Sequence, residues 1–325
     1  KIVEKYNIPS ISARMANDVL PFNSKHYFGM GGIRGRRSAV KVMKECDLLI
    51  CIGTSNCYTF FGEENECLSS NAKVIVVNTD RKIFERKDIQ IDLPLACDAN
   101  DFFDSLASVD LVCDFASWLK VCDNYKKQLP MVTKDMKKNP INSYYLADTL
   151  SKLTDSRHIF TNDAGSSNYI SSQSLALNNG QKELTSGAFY TMGLTLPLAI
   201  GAAVEEPEKQ IIAITGDGSI ELNIQELQTI SLNDLNIKII VINNGGYASI
   251  RDSQDAMCGG RYTDDEQILN FKKIAHAFDI KFEIIQSVDE IEPVMSRVMD
   301  DNAPTIVEVV CDDSQYMVQP TKEIL

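Results

Sequence analysis

Hydrophobic and polar residues along this chain change period repeatedly, and each change marks an element. Residues 47–53 (DLLICIG) and 73–78 (KVIVVN) are apolar runs of strand length, and a helical recurrence of apolar positions follows from Asp101 to about Leu129. Between Gln128 and Ile141 that period gives way to a polar, basic stretch (KDMKKNP at 134–140) with prolines at 130 and 140. The chain is expected to divide there, into domains of 1–130 and 139–325. Beyond the boundary, Asn142 and Ser143 can cap a helix running through Tyr144, Leu146 and Leu150. Strands are predicted at 158–162, 210–215, 237–243, 281–285 and 305–310, and helices at about 223–232, 271–278 and 291–299. A glycine-punctuated stretch occupies 187–201. Strands separated by helices predict an α/β fold of two doubly wound, mostly parallel-sheet domains.

Composition narrows the function classes. A chain of 325 residues is about right for two domains, each with its own core. No apolar run reaches the roughly 20 residues of a membrane span, so no membrane partner is expected. The 45 acidic residues against 32 basic ones give a net charge of -13, which repels the phosphates of a nucleic acid. The nine cysteines are odd in number, lie in apolar segments and show no CxxC spacing, so they read as reduced, mostly buried thiols. Cys46, Cys51 and Cys57 are therefore assigned to packing and not to a metal. The chain opens on Lys1, without an initiator methionine or a signal-peptide pattern. A piece of a longer, cytoplasmic chain is expected.

The candidate chemistry lies in the second half. The apolar strand at 211–215 ends in Gly216-Asp217-Gly218-Ser219. Strand carboxyl ends are where open α/β sheets hold ligands. The flanking glycines let backbone approach a bulky anion, and Asp217 offers a hard oxygen to a divalent cation. Taken alone, the tetrapeptide also reads as a tight turn with a capping aspartate. A second apolar strand ends in Asn243-Asn244-Gly245-Gly246-Tyr247, with 24 residues between Gly218 and Asn243 (243 - 218 - 1), enough for one helical crossover. A right-handed crossover sets the two strand ends side by side, so Asp217, the Asn244 amide oxygen and a nearby carbonyl can converge on one cation such as Mg²⁺. The Asn-Gly pair also suits a hairpin turn, but a hairpin needs adjacent antiparallel strands and the flanking pattern is βαβ.

With these residues in place the sequence resembles the thiamine-diphosphate enzymes, whose signature is GDG, about two dozen residues, then NN. Residues 216–227 and 243–247 look most like the acetolactate synthase and pyruvate decarboxylase branch, with 1–126 similar to its central domain and 139 onward to its diphosphate-binding domain. The resemblance implies that Asp217, Asn244 and the carbonyl of Gly246 are metal ligands. It further implies that Gly216, Gly218, Ser219 and Tyr247 lie against the cofactor. The segment Asp163-Ala164-Gly165-Ser166-Ser167, which follows a strand, looks like the first diphosphate loop, with Ala164, Gly165, Ser166 and Ser167 as its candidate contacts, and a surface serine turn would equally explain it. The segment Tyr190-Thr191-Met192-Gly193 is similar to the one that places an apolar prop, here Met192, beneath the cofactor. Met192 as plain core filling is the alternative.

The implied reaction is decarboxylation of a pyruvate-like 2-keto acid with transfer of the acyl unit to a carbonyl acceptor. The alternatives are simple decarboxylation, or a non-catalytic chain that keeps the fold. Ile250 and Arg251, on the helix after the metal loop, are the candidates for substrate contact, with an exposed helix arginine as the other reading of Arg251. The family's pyrimidine-domain glutamate has no counterpart here, so the catalytic residue is unassigned and this piece alone is expected to be inactive. The branch holds a flavin near the stretch that corresponds to Gly29-Met30-Gly31-Gly32-Ile33-Arg34-Gly35. FAD and a plain tight loop both remain open, since no strand is predicted ahead of it. A homodimer or homotetramer is implied, because relatives build the site between subunits.

Overall fold

A computed structural model of the chain describes every residue except Asn179, Ala188, 263–268, 324 and 325. Two compact units result, Lys1–Met131 with the segment from Gln319, and Val132–Val318. Among the described residues no helix is long and apolar enough to cross a membrane.

In the first unit β1 (Ser10–Ser12) pairs in parallel with β2 (Tyr27–Met30), and a separate parallel sheet holds β3 (Leu48–Ile52), β4 (Lys73–Val77) and β5 (Leu93–Leu95) in chain order. Its core gathers Met43, Cys51, Phe60, Phe61, Cys67, Val74 and Val76. Cys46, Cys51, Cys67 and Cys122 here, and Cys311 in the second unit, are buried thiols, whereas Cys57, expected to pack, is exposed; burial pushes Cys51 up to about 12. The single helical pattern expected from Asp101 resolves into two helices, Ala99–Ser108 and Ala116–Gln128. Val109 turns extended at the break, and ahead of the second helix the Asp114 carboxylate accepts from Ala116 N at 3.0 Å.

The second unit is one six-stranded parallel sheet. It contains β6 (His158–Asn162), β7 (Lys182–Leu184), β8 (Gln210–Gly216), β9 (Ile237–Asn243), β10 (Lys281–Ile285) and β11 (Thr305–Val310) in the spatial order β10-β11-β9-β8-β6-β7. Adjacent residues of the central strands are buried on opposite faces, which is why those strands read as unbroken apolar runs. Phe160, Ile212, Ile214, Ile240 and Val307 pack under the helices Ser143–Leu153 and Val288–Met299. Ile159, Ile211, Ala213, Ile239 and Ile306 pack under Thr195–Glu205, Glu226–Leu232 and Phe271–Ala277. From β6 the chain moves outward to β7, then returns past β6 to β8 and continues the other way. Neighbouring β6 and β8 thus send their loops in opposite directions, which opens a crevice at their carboxyl ends.

Three elements of this unit escape the hydrophobic pattern. The strand β7 is three residues at the sheet edge. The helix Thr195–Glu205 is apolar almost all round and holds Pro197 in its first turn and Gly201 within it. The helix Gly165–Ser174 is polar yet buried, and hydrogen bonds replace an apolar face. The Ser167 hydroxyl donates to the Ala164 carbonyl (2.8 Å), Ser172 to the Asn168 carbonyl (2.6 Å) and Tyr144 to Gln173 Oε1 (2.6 Å).

Candidate functional site

The carboxyl ends of β6, β8 and β9 lie side by side, and each strand delivers a polar group on leaving the sheet. From β8 comes Asp217, 3% exposed. Its Oδ1 accepts from Gly218 N at 2.8 Å, and its Oδ2 accepts from Asn244 N at 3.1 Å and Gly246 N at 2.9 Å. One carboxylate thus clasps both its own loop and the loop after β9. Burial pushes the Asp217 carboxyl up, and the amides of Gly246, Gly218 and Asn244, followed by the charge of Arg251, counter it. Gly245 and Gly246 stand at φ +77° and +104°, the left-handed backbone that turns successive N–H groups toward one point. A Cβ on Gly218 would lie 2.6 Å from the Tyr247 ring, so glycine is required there for that ring to cover the turn.

From β9 comes Asn244, whose Nδ2 approaches Ser166 Oγ at 3.3 Å. Ser166 is therefore the serine after β6 that meets the loop after β9, while Ser167 is turned inward onto the Ala164 carbonyl. Gly165 takes φ +64° with the Ser249 hydroxyl 3.1 Å from where its Cβ would be. Gly216 ends the β8 ladder opposite Ile242.

From β6 comes Asp163, 1% exposed, which the sequence reading sets at the head of the first loop without a contact of its own. Its Oδ1 accepts from Ala164 N (3.0 Å) and Gly193 N (2.8 Å), and its Oδ2 accepts from Thr215 Oγ1 (3.0 Å). Burial pushes this carboxyl up as well, and the bonds from Gly193, Thr215, Thr195 and Ser219 oppose that. Asp163 thus ties the first loop, the 190–193 turn and the end of β8 together. Its position directly after a strand at the switch point is the signal that could have found it. The turn it holds carries half-buried Met192, and the ring of Tyr190 lies 5.5 Å from that of Tyr169.

Ile250 is exposed on the first turn of the helix Ala248–Met257. Arg251 is buried, at 4% exposure, with its guanidinium donating to the carbonyls of Gly245 (2.7 Å) and Asn244 (2.6 Å). It faces the loop's main chain and is not the exposed helix arginine of the alternative reading. In the first unit the glycine-rich stretch begins inside a strand, β2, which contributes Gly29 and Met30, contrary to the expectation that no strand precedes it. At four residues, Tyr-Phe-Gly-Met, the strand is too short for a visible period. There a Cβ on Gly32 would fall 2.3 Å from the Thr59 carbonyl oxygen, and one on Gly35 would fall 2.6 Å from that of Met30. Close approach of the chain to itself accounts for both glycines.

The donors at the β8 and β9 ends are a carboxylate, a carboxamide and a carbonyl, all hard oxygens, in loops that carry glycine at 218, 245 and 246. That set suits a small divalent cation and the anion it carries. The family description "Thiamine pyrophosphate enzyme, central domain" matches residues 1–106, and "Thiamine pyrophosphate enzyme, C-terminal TPP binding domain" matches 163–309. The acetolactate synthase isozyme 1 large subunit of Escherichia coli (strain K12) is 28% identical over 318 residues, covering 96% of this chain and 55% of that protein. The acetolactate synthase large subunit of Porphyra purpurea is 29% identical over 335 residues, covering 99% and 56%. That of Lactococcus lactis is 26% identical over 324 residues, covering 97% and 55%. The chain spans about half the length of the curated relatives it matches.

Proposed function

The chain belongs to the thiamine pyrophosphate enzyme family, and from that premise we propose that it forms the diphosphate- and Mg²⁺-holding part of an acetolactate-synthase-like enzyme. The proposed reaction is decarboxylation of a pyruvate-like 2-keto acid with transfer of the acyl unit to a carbonyl acceptor. The observation that carries this reading is the Asp217 carboxylate bridging the loops after β8 and β9 through Gly218, Asn244 and Gly246.

In this reading Asp217, the Asn244 carboxamide oxygen and the Gly246 carbonyl would hold Mg²⁺. Ala164, Gly165, Ser166, Gly216, Gly218 and Ser219 would line the diphosphate, and Tyr190, Met192 and Tyr247 the rest of the cofactor. Thiamine diphosphate, when bound, supplies the electron sink that decarboxylation of a 2-keto acid requires. The chain's own part is to bind and orient. Asp163 fixes the turn carrying Met192 against β6 and β8, and Asp217 holds the loops after β8 and β9 together through the N–H groups of Gly218, Asn244 and Gly246. Ile250, exposed beside the metal loop, is the side chain proposed to meet substrate. Arg251 is assigned to the loop it touches and not to substrate. Flavin is not needed to explain Gly32 and Gly35. A cytoplasmic homodimer or homotetramer, as in the resemblance, completes the proposal.

Product analysis tests it. The longest form of the protein containing this chain, given pyruvate, thiamine diphosphate and Mg²⁺, is expected to yield a carbon-carbon-linked product. Free aldehyde instead would move the assignment to a simple decarboxylase. Absence of any turnover despite metal-dependent cofactor binding would refute the acyl-transfer reading.

A further inference from the structure

Asn244, Gly245 and Gly246 present three successive carbonyls at one strand end, and only some of them can face a cation. Arg251 reaches back from the helix that follows. Its Nη1 donates to the Gly245 carbonyl at 2.7 Å and its Nη2 to the Asn244 carbonyl at 2.6 Å, with the Asp313 carbonyl also within 3.4 Å. The Gly246 carbonyl accepts from Ala248 N at 2.9 Å. On the other side of the same loop, the Asp217 carboxylate takes the N–H groups of Asn244 and Gly246. The loop is thus held between a buried anion on its N–H side and a buried cation on its carbonyl side. With glycine at 245 and 246 the backbone alone has little preference for this arrangement.

We propose that Arg251 is a positioning residue for the metal site. By holding the carbonyls of Asn244 and Gly245 away, it leaves the Gly246 carbonyl and the Asn244 side chain as the oxygens offered to the cation beside Asp217. The inference rests on the reading of this site as one that holds a divalent cation. A fork of planar donors is needed to span two main-chain carbonyls at once, and a lysine ammonium is a single point charge on a flexible stem. Arg251→Lys therefore keeps the charge and loses the bidentate grip, while Arg251→Met loses both.

The test is Mn²⁺ binding with thiamine diphosphate present, followed by the loss of the free-ion signal in electron paramagnetic resonance. Wild type, Arg251→Lys, Arg251→Met and Asp217→Ala are compared in the longest form of the protein. Melting of each without metal or cofactor is recorded alongside. The dissociation constant for Mn²⁺ is expected to rise about 10- to 100-fold in both Arg251 variants, the size typical of losing a group that orients a metal ligand. Arg251→Lys decides alone if Arg251→Met does not fold. Folded Arg251→Lys that binds Mn²⁺ within twofold of wild type, with only its melting lowered, overturns the inference. Wild type that binds no Mn²⁺, indistinguishable from Asp217→Ala, overturns the underlying reading of the site and this inference with it.

Discussion

Gly193 and Gly201 sit eight residues apart, one in the turn held by Asp163 and the other in the helix Thr195–Glu205, and alanine should act on them with opposite sign. At Gly193 the backbone is at φ +78°, where a side chain costs about 1–2 kcal/mol. The added methyl would also lie 2.8 Å from Leu222 Cβ, 3.1 Å from Asn223 Nδ2 and 3.3 Å from the Ser219 carbonyl oxygen. Relieving such crowding costs about 1–3 kcal/mol, so Gly193→Ala should lose about 2–5 kcal/mol. Gly201 is exposed on its helix, with nothing within 4 Å of the added methyl. Gly201→Ala should gain about 0.5–1 kcal/mol from helix propensity and a less flexible unfolded chain. Urea unfolding followed by circular dichroism is the assay. Both glycines lie in the second unit, so the two variants report on the same transition. Equal midpoints for the two variants would refute the claim that the 190–193 turn is locked in a conformation reserved for glycine.

Asp163→Ala leaves the N–H groups of Ala164 and Gly193 and the Thr215 hydroxyl without their acceptor. It should cost at least about 2 kcal/mol, whereas Asp163→Asn, which keeps an acceptor, should stay within about 1 kcal/mol of wild type by the same unfolding assay. Lys238 is buried in β9 and burial lowers it from 10.5 to about 8. The unfolded chain therefore holds a proton between about pH 8 and 10.5 that the folded chain has released. Wild type should gain about 1–3 kcal/mol relative to Lys238→Met across that window, with the full burial penalty present below pH 8. A flat difference between pH 7 and 10.5 would remove this reading of the buried amine.

The sheet of the second unit was legible because strands buried on both faces have little choice but to be continuous apolar runs, as 210–215 and 237–243 are. The pairing of Asp217 with the Asn244 loop was legible for a related reason, since the crossover length constrains which strand ends become neighbours. Periodicity could not reveal the helix Gly165–Ser174, whose serines and Asn168 are buried through hydrogen bonds, nor Thr195–Glu205, which is apolar on nearly every side. The break at 109–115 was missed because apolar residues such as Val109, Leu111 and Val112 continue through it, so the pattern alone does not mark where one helix stops and the next begins. The place of Arg251 was illegible for a different reason. A charged residue on a polar helix is usually exposed, and only the fold of the preceding loop supplies the carbonyls that make its burial tolerable.

Calorimetric titration of thiamine diphosphate into the longest form of the protein, with Mg²⁺ and with a chelator, and beside Asp217→Ala, addresses the central claim most directly. Binding that requires Mg²⁺ and disappears in Asp217→Ala is the predicted result. Binding that is unchanged by chelator or by Asp217→Ala would contradict the assignment of the β8 and β9 strand ends as the place where metal and diphosphate are held.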